Sequence, residues 1–171
     1  EEEDSKKIQV EFVSANPTGP LHVGHGRGAI YGDVISRLLE KKGHKVQKEY
    51  YVNDAGRQID ILTASVYLRA IDIEDNIFPE SAYRGKYIKE IAKNANLQEA
   101  VNIDDLFKGL PEDDEEKIDK IISNLKSANE KDWQSIKKMS LENVLSTIEK
   151  DLENFGVTFD NWFLESSLLG A

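Results

Sequence analysis

Apolar positions along this chain change their period several times, and each change marks an element. Residues 8–13 (IQVEFV) form a short, nearly continuous apolar run, the pattern of a strand covered on both faces. Glu11 is the one charge within it, and a buried carboxylate without a partner is costly. After a loop at 16–20, residues 21–42 set Val23, Ile30, Val34, Ile35, Leu38 and Leu39 on a helical stripe. Lys41 and Lys42 suit the negative C-terminal end of that helix, and Gly43 supplies the stop. Residues 45–52 (KVQKEYYV) predict a second strand. In the turn that follows, Asn53 or Asp54 can cap a helix over about 56–70, and capping is the preferred role for Asp54 over lining a pocket. Strand, helix, strand, helix excludes a hairpin and predicts a parallel, right-handed βαβ unit.

From residue 71 the strand signal vanishes. Residues 71–130 carry a net charge of about −7, with an acidic knot at 111–116 (PEDDEE), and short helices fit over 82–94 and 114–127. This stretch reads as a helical insertion rather than a separate folding unit. Residues 131–155 then predict one long amphipathic helix from Trp133 to Phe155, stopped by Gly156, and 157–164 (VTFDNWFL) predict a last strand. No internal repeat is present. Two or three strands are few for a parallel sheet, so the pattern points to part of a larger α/β domain.

Composition narrows the class. The chain has 171 residues, 39% hydrophobic and 32% charged, the profile of a soluble globular protein with a real core. No apolar run reaches the length of a membrane span and no secretory signal opens the sequence. Cysteine is absent, which excludes disulfides and thiolate metal sites, so a cytoplasmic protein with no membrane association is expected. The net charge of −10 opposes binding of a phosphate backbone by charge alone.

Chemistry concentrates at residues 14–28 (SANPTGPLHVGHGRG). His22 and His25 stand three apart where a strand and a Gly-Pro turn lead into a helix. The first turn of a helix has unpaired N–H groups and a partial positive charge, and anions, phosphates especially, bind there. Spacing of three puts both imidazoles on one helix face. Gly24, followed by Gly26 and Gly28, leaves a surface on which a flat ligand can approach the backbone. Two histidines beside a triphosphate can donate hydrogen bonds to oxygens on which charge develops, with no covalent intermediate. The bare pattern is equally compatible with two histidines on a helix surface. A metal pair is also conceivable, but no third ligand is evident. Neither G-x-x-x-x-G-K-[ST] nor G-x-G-x-x-G occurs. Arg27 could serve phosphates or pair with Asp33, and His44 reads as a solvated turn residue.

The string VEFVSANPTGPLHVGHGRGAIYGD resembles the signature region of class I aminoacyl-tRNA synthetases, with HVGH at 22–25 in place of their HIGH motif. The longer pattern, with YYVNDAGRQID at 50–60 and FDNWFLESSL at 159–168, resembles the arginyl-tRNA synthetase family in particular; the similarity is weakest over 71–130. The resemblance implies a Rossmann-like (HUP-type) parallel-sheet nucleotide-binding half-domain with a helical insertion. It divides the chain into 1–70 as the N-terminal half of that domain with the HVGH motif, 71–130 as the insertion, and 131–171 as the long helix and return strand. It implies ATP binding by His22, Gly24 and His25, with the two histidines catalytic; from the residues themselves no metal ligand is expected. It implies contact of Asn16 with the α-amino group of L-arginine, of Ser14 beside it, and of the Glu11 carboxylate with the guanidinium, which a carboxylate can take in two parallel hydrogen bonds. From the residues alone, Glu11 is an edge-strand residue facing water and Asn16 an Asx-turn before Pro17.

Lys138-Met139-Ser140 matches part of the second class I motif, but it sits inside an amphipathic helical pattern, with Met139 on the apolar stripe, and is read as structural. The resemblance further implies that the chain is a piece of a catalytic domain, with the tRNA-binding extension, the second half of the nucleotide fold and the anticodon-binding domain outside it. ATP with Mg2+, L-arginine and tRNA(Arg) are the implied partners of the longer enzyme. The piece itself is expected to be a monomer with weak or no tRNA binding and negligible aminoacylation. Two alternatives remain at this stage: a small nucleotidylyltransferase using the same H-x-G-H chemistry, and a catalytically silent binding or regulatory module.

Overall fold

Three strands, β1 (Lys7–Glu11), β2 (Lys45–Val52) and β3 (Asn161–Leu164), form one parallel sheet in the order β1-β2-β3 in the computed structural model, which describes residues 5–98 and 100–168. The expected α/β class and parallel pairing are therefore present. Contacts divide the chain into two compact units, one up to Ala55 and again from Val144, the other Gly56–Asn143. The composition shifts at 70/71 and 130/131; the contact boundaries fall instead at 55/56 and 143/144.

In the first unit, β1 pairs with β2 from Lys7↔Lys45 to Glu11↔Glu49, and β2 with β3 from Glu49↔Asn161 to Val52↔Leu164. Glu49 ties all three strands together, accepting from Gln9 Nε2 and Asn161 Nδ2 at 2.6 Å each. Tyr50 is fully buried and stacks on Trp162 at 4.4 Å, with Phe159 edge-on at 5.4 Å. β2 lies where its pattern placed it. β1 does not follow its apolar pattern: it alternates exposed and half-buried positions, with Gln9 and Glu11 exposed. It also ends two residues early, because Val13 and Ser14 turn into the left-handed region at φ 65° and 41°. The last strand is short for a similar reason. Gly156, at φ 81°, closes the preceding helix, and the chain joins the ladder only after Asp160 has exchanged hydrogen bonds with Lys48.

Helix α1 (Val23–Lys41) connects β1 to β2 and turns an unexpected face inward. It buries Ala29, Gly32, Asp33 and Ser36. The apolar stripe that predicted its core contact is largely exposed: Val23 by 93%, Leu38 by 59% and Ile30 by 53%, with Tyr31 beside them at 72%. Close approach explains the choice. A Cβ on Gly32 would lie 2.1 Å from the Phe12 ring, so glycine is what lets that ring lie against the helix.

The second unit is helical. It contains α2 (Arg57–Ala70), α3 (Lys86–Ala92), α4 (Ile103–Phe107), α5 (Asp114–Ala128) and, up to Asn143, α6 (Glu130–Asn154). α2 packs with α3 and α5 and buries Ile59 and every residue from Ile61 to Leu68. Its buried Thr63 and Ser65 hydroxyls donate to the Ile59 and Ile61 carbonyls one turn back, so no polar cost remains. The helix expected over 82–94 is shorter: Ala82 closes a turn onto the Pro79 carbonyl, Tyr83 N–H donates to Ser65 Oγ of α2, and the helix starts only after Gly85. The acidic knot is structural. Asp113 caps α5 through the Glu115 and Glu116 amides, Asp114 accepts from Ser81, and Glu115 pairs with Arg57 at 2.7 Å.

Candidate functional site

The loop that carries chain from β1 into α1 is stapled to β2. Ser14 Oγ accepts from Tyr51 N at 3.0 Å, and the Tyr50 hydroxyl donates to the Ala15 carbonyl at 3.0 Å. Burial pushes the Tyr50 hydroxyl up to about 12, so it stays protonated and keeps that bond. Ser14 thus stands at the carboxyl end of the sheet with its own hydroxyl proton available to a ligand, and Asn16 is exposed two residues on. Ligands of α/β proteins bind at that end of the strands.

At the start of α1 the two histidines form a unit. His22 is the N-cap, with extended backbone, so it lies just outside the helix and not on its face as the spacing alone implied. Its Nδ1 accepts from Gly24 N at 3.1 Å, while His25 Nδ1 accepts from His22 N at 3.1 Å. The rings stack with centroids 3.8 Å apart. Partial burial, and then the neighbouring His22, hold His25 below the usual histidine value of 6.5, so it is neutral at pH 7. The space above Gly24 is taken by the His22 ring itself, whose Cε1 would lie 2.9 Å from an added Cβ, which corrects the reading of an open approach to the backbone there. An added Cβ at Gly28 meets nothing within 4 Å, and at Gly26 only Phe155 in ordinary contact.

A second group gathers where β1, β2 and β3 end. Asp54, expected as the cap of α2, instead accepts from Ser166 N at 2.8 Å and Ser166 Oγ at 2.5 Å; α2 starts from Gly56 at φ 82° without a side-chain cap. Asn53, with its amide oriented to satisfy both partners, donates to Glu165 Oε2 at 2.6 Å. The Tyr51 hydroxyl is held above its ordinary value by desolvation, by the charge and hydrogen bond of Glu165, and by the charges of Asp54 and Glu11. Glu165 thus hydrogen-bonds this phenol, and the charges of Asp54 and Glu11 act on it as well. Among the described residues none of these three carboxylates has an ion-pair partner. Such a group attracts a cation.

Ser14 is thus bonded to the Tyr51 amide, the Glu11 charge acts on the Tyr51 hydroxyl, and His22 and His25 stack at α1, with no hydrogen bond joining the two groups among the described residues. Tyr51, Asp54 and Glu165 complete the acidic group; their role there was not legible, because 112 residues separate Asp54 from Ser166. Arg27 is exposed, and Asp33 pairs with Arg37 at 2.6 Å and Lys48 at 3.5 Å instead. His44 is half-buried, its Nδ1 accepting from Lys6 N at 3.4 Å, rather than fully solvated. Lys138 pairs with Glu142 one turn along α6 at 3.8 Å, as a structural residue does.

Comparison with known proteins points to one family. The family model described as tRNA synthetases class I (R), catalytic domain, matches residues 1–168. Arginine–tRNA ligases from Acinetobacter baumannii (strain AYE) and Acidithiobacillus ferrooxidans are each 45% identical over 96% of the chain, which covers 32% and 30% of their lengths. A crystal structure from Campylobacter jejuni assigned as an arginyl-tRNA synthetase superposes with a TM-score of 0.68 at 33% identity, over 96% of this chain and 32% of that one. The fold is also that of the Thermus thermophilus arginyl-tRNA synthetase, at TM-score 0.50 and 22% identity over 95% of this chain and 24% of that one. The chain spans about a third of the length of the curated relatives it matches. With a matching parallel α/β fold and the HVGH turn between β1 and α1, the chain belongs to the class I arginyl-tRNA synthetase catalytic-domain family.

Proposed function

We propose that this chain carries the first half of an arginine-activating site, and that the longer enzyme joins L-arginine to ATP and then passes arginine to tRNA(Arg). The observation that carries the reading is the stacked histidine pair at the start of α1, reached directly from the loop that holds Ser14 and Asn16. In the first step an arginine carboxylate oxygen attacks the α-phosphorus of ATP. The bond from that phosphorus to the bridging oxygen breaks, and pyrophosphate leaves with the charge. His22 and His25 donate hydrogen bonds to the phosphates as that charge develops, and Gly24 accommodates the His22 ring. Glu11 takes the guanidinium, within the negative field of Asp54 and Glu165, while Ser14 and Asn16 hold the α-amino end. Binding and alignment of the two substrates supply most of the rate, since no covalent step on the protein is needed.

No group of three or more His, Asp or Glu side chains among the described residues is placed to hold a metal ion. Mg2+ would enter as the counterion of ATP. No helix among the described residues is long and apolar enough to cross a membrane, and we place the reaction in the cytoplasm. The 171-residue chain by itself is taken as a monomer with weak or no tRNA binding and negligible aminoacylation. The decisive experiment is calorimetric titration of ATP and of L-arginine, separately, into this chain. ATP binding that weakens by about tenfold or more in His22→Ala and in His25→Ala is expected, since each loses a phosphate donor. ATP affinity unchanged in both variants overturns the assignment.

A further inference from the structure

We propose that each imidazole of the pair divides its work between its two nitrogens: Nδ1 holds the first turn of α1, and the proton left on Nε2 is the donor offered to the nucleotide phosphates. The nucleotide half of this statement rests on the functional reading above. The structural half does not.

A backbone N–H can only donate. The Gly24 amide reaches His22 Nδ1 and the His22 amide reaches His25 Nδ1, both at 3.1 Å, so both Nδ1 atoms present lone pairs. A neutral imidazole carries one N–H, which must then sit on Nε2 of each ring. Two of the helix's unpaired amides are thereby satisfied by the same residues that face the ligand. The stacking at 3.8 Å is compatible with two neutral rings, whereas two imidazolium rings at that separation would repel. Protonation of either Nδ1 would set it against a backbone N–H and open the cap. The arrangement is reciprocal, so each histidine is a positioning residue for the other. His25 anchors the backbone of His22, and His22 anchors the first turn, at Gly24, that leads into His25.

Nitrogen-15 NMR of the imidazoles in the ligand-free chain tests the structural half directly. Both rings are expected as the Nε2–H tautomer; an Nδ1–H tautomer on either overturns the proposal whatever ATP does. Side-chain amides then separate the two nitrogens, because the Asn oxygen reproduces the place of Nδ1 and the Gln amide that of Nε2. His22→Asn should keep the Gly24 amide protected from hydrogen exchange and lower ATP affinity about tenfold. His22→Gln should do the reverse, speeding exchange at Gly24 about tenfold while keeping more of the affinity. Matching losses in both readouts for both variants overturn the division of labour. Absence of ATP binding by the unsubstituted chain removes the nucleotide half together with the functional reading, so the two failures are distinguishable.

Discussion

α1 and α2 each follow a strand, yet they bury opposite kinds of surface. α2 hides nine of its fourteen residues, mostly large and apolar. α1 hides two small residues and two polar ones and leaves Val23, Ile30, Tyr31, Val34 and Leu38 in solvent. An apolar stripe therefore identifies a helix in both cases but identifies a core in only one. In α1 the inward face is chosen by how closely backbone can approach the sheet, and its N-terminus is kept for the histidines. In α2 the inward face is chosen by the packing of its large apolar side chains.

The largest expected effect comes from this contrast in the cores. Leu62→Ala in α2, at a fully buried position, should cost about 2–5 kcal/mol in chemical denaturation of the chain. Leu38→Ala in α1 should change stability by less than about 0.5 kcal/mol. Comparable losses at the two sites would mean that the α1 stripe is covered in solution, and the contrast would fail.

Next in size is the close approach that orients α1. Gly32→Ala drives a methyl group into the Phe12 ring, and overpacking of that kind costs about 1–3 kcal/mol. A Phe12→Ala, Gly32→Ala double variant should recover part of the Gly32→Ala loss relative to Phe12→Ala alone. Strict additivity would show that the ring and the glycine do not meet. Gly→Ala at position 28, where an added Cβ meets nothing, is the control and should be neutral or slightly stabilising.

These cases mark what the pattern of residues could reveal. β2 was legible residue for residue, since KVQKEYYV has strand propensity along its length and clear stops on both sides. α1, α5 and α6 were legible to within two residues of their ends because their caps and periodicity agree. α4 was not, because five residues leave no period to detect. Which face of α1 is buried was not legible either, because it depends on Phe12 meeting Gly32 across twenty positions. The positions of His22, His25, Glu11 and Ser14 at the candidate site followed from the motif. The capping role of the histidines, the surroundings of Tyr51 and the pairing of Asp54 with Ser166 required the fold, since hydrogen-bond partners far apart in the chain leave no local signature.

A smaller effect separates the ends of the two helices rather than their middles. Asp54→Ala removes two acceptors from Ser166 and should cost about 1–2 kcal/mol at the end of β3. α2 begins from Gly56 with no side-chain cap, so the exchange of its first amides should not change. Faster exchange at the start of α2 in Asp54→Ala would restore the capping role that its sequence position suggests.

The smallest effect is a pH dependence confined to α1. The folded chain holds His25 below 6.5 through partial burial and the charge of His22. The unfolded chain therefore binds a proton there more readily, and the difference in bound protons makes stability rise with pH across that window. The contribution is complete above 6.5 and is lost as pH falls through the lower folded value. Since His25 Nδ1 accepts from the His22 amide, the loss should appear first as faster exchange at that amide on acidification from pH 7.5 to 5.5, after correction for the intrinsic rate. The first amides of α2 should show no such change, because no titrating side chain caps that helix. In His25→Asn the pH dependence at the His22 amide should disappear while its protection persists, because an Asn oxygen can accept the same bond without titrating. If both helices respond alike, acid is acting on the unit as a whole, and the histidines do not govern the first turn of α1.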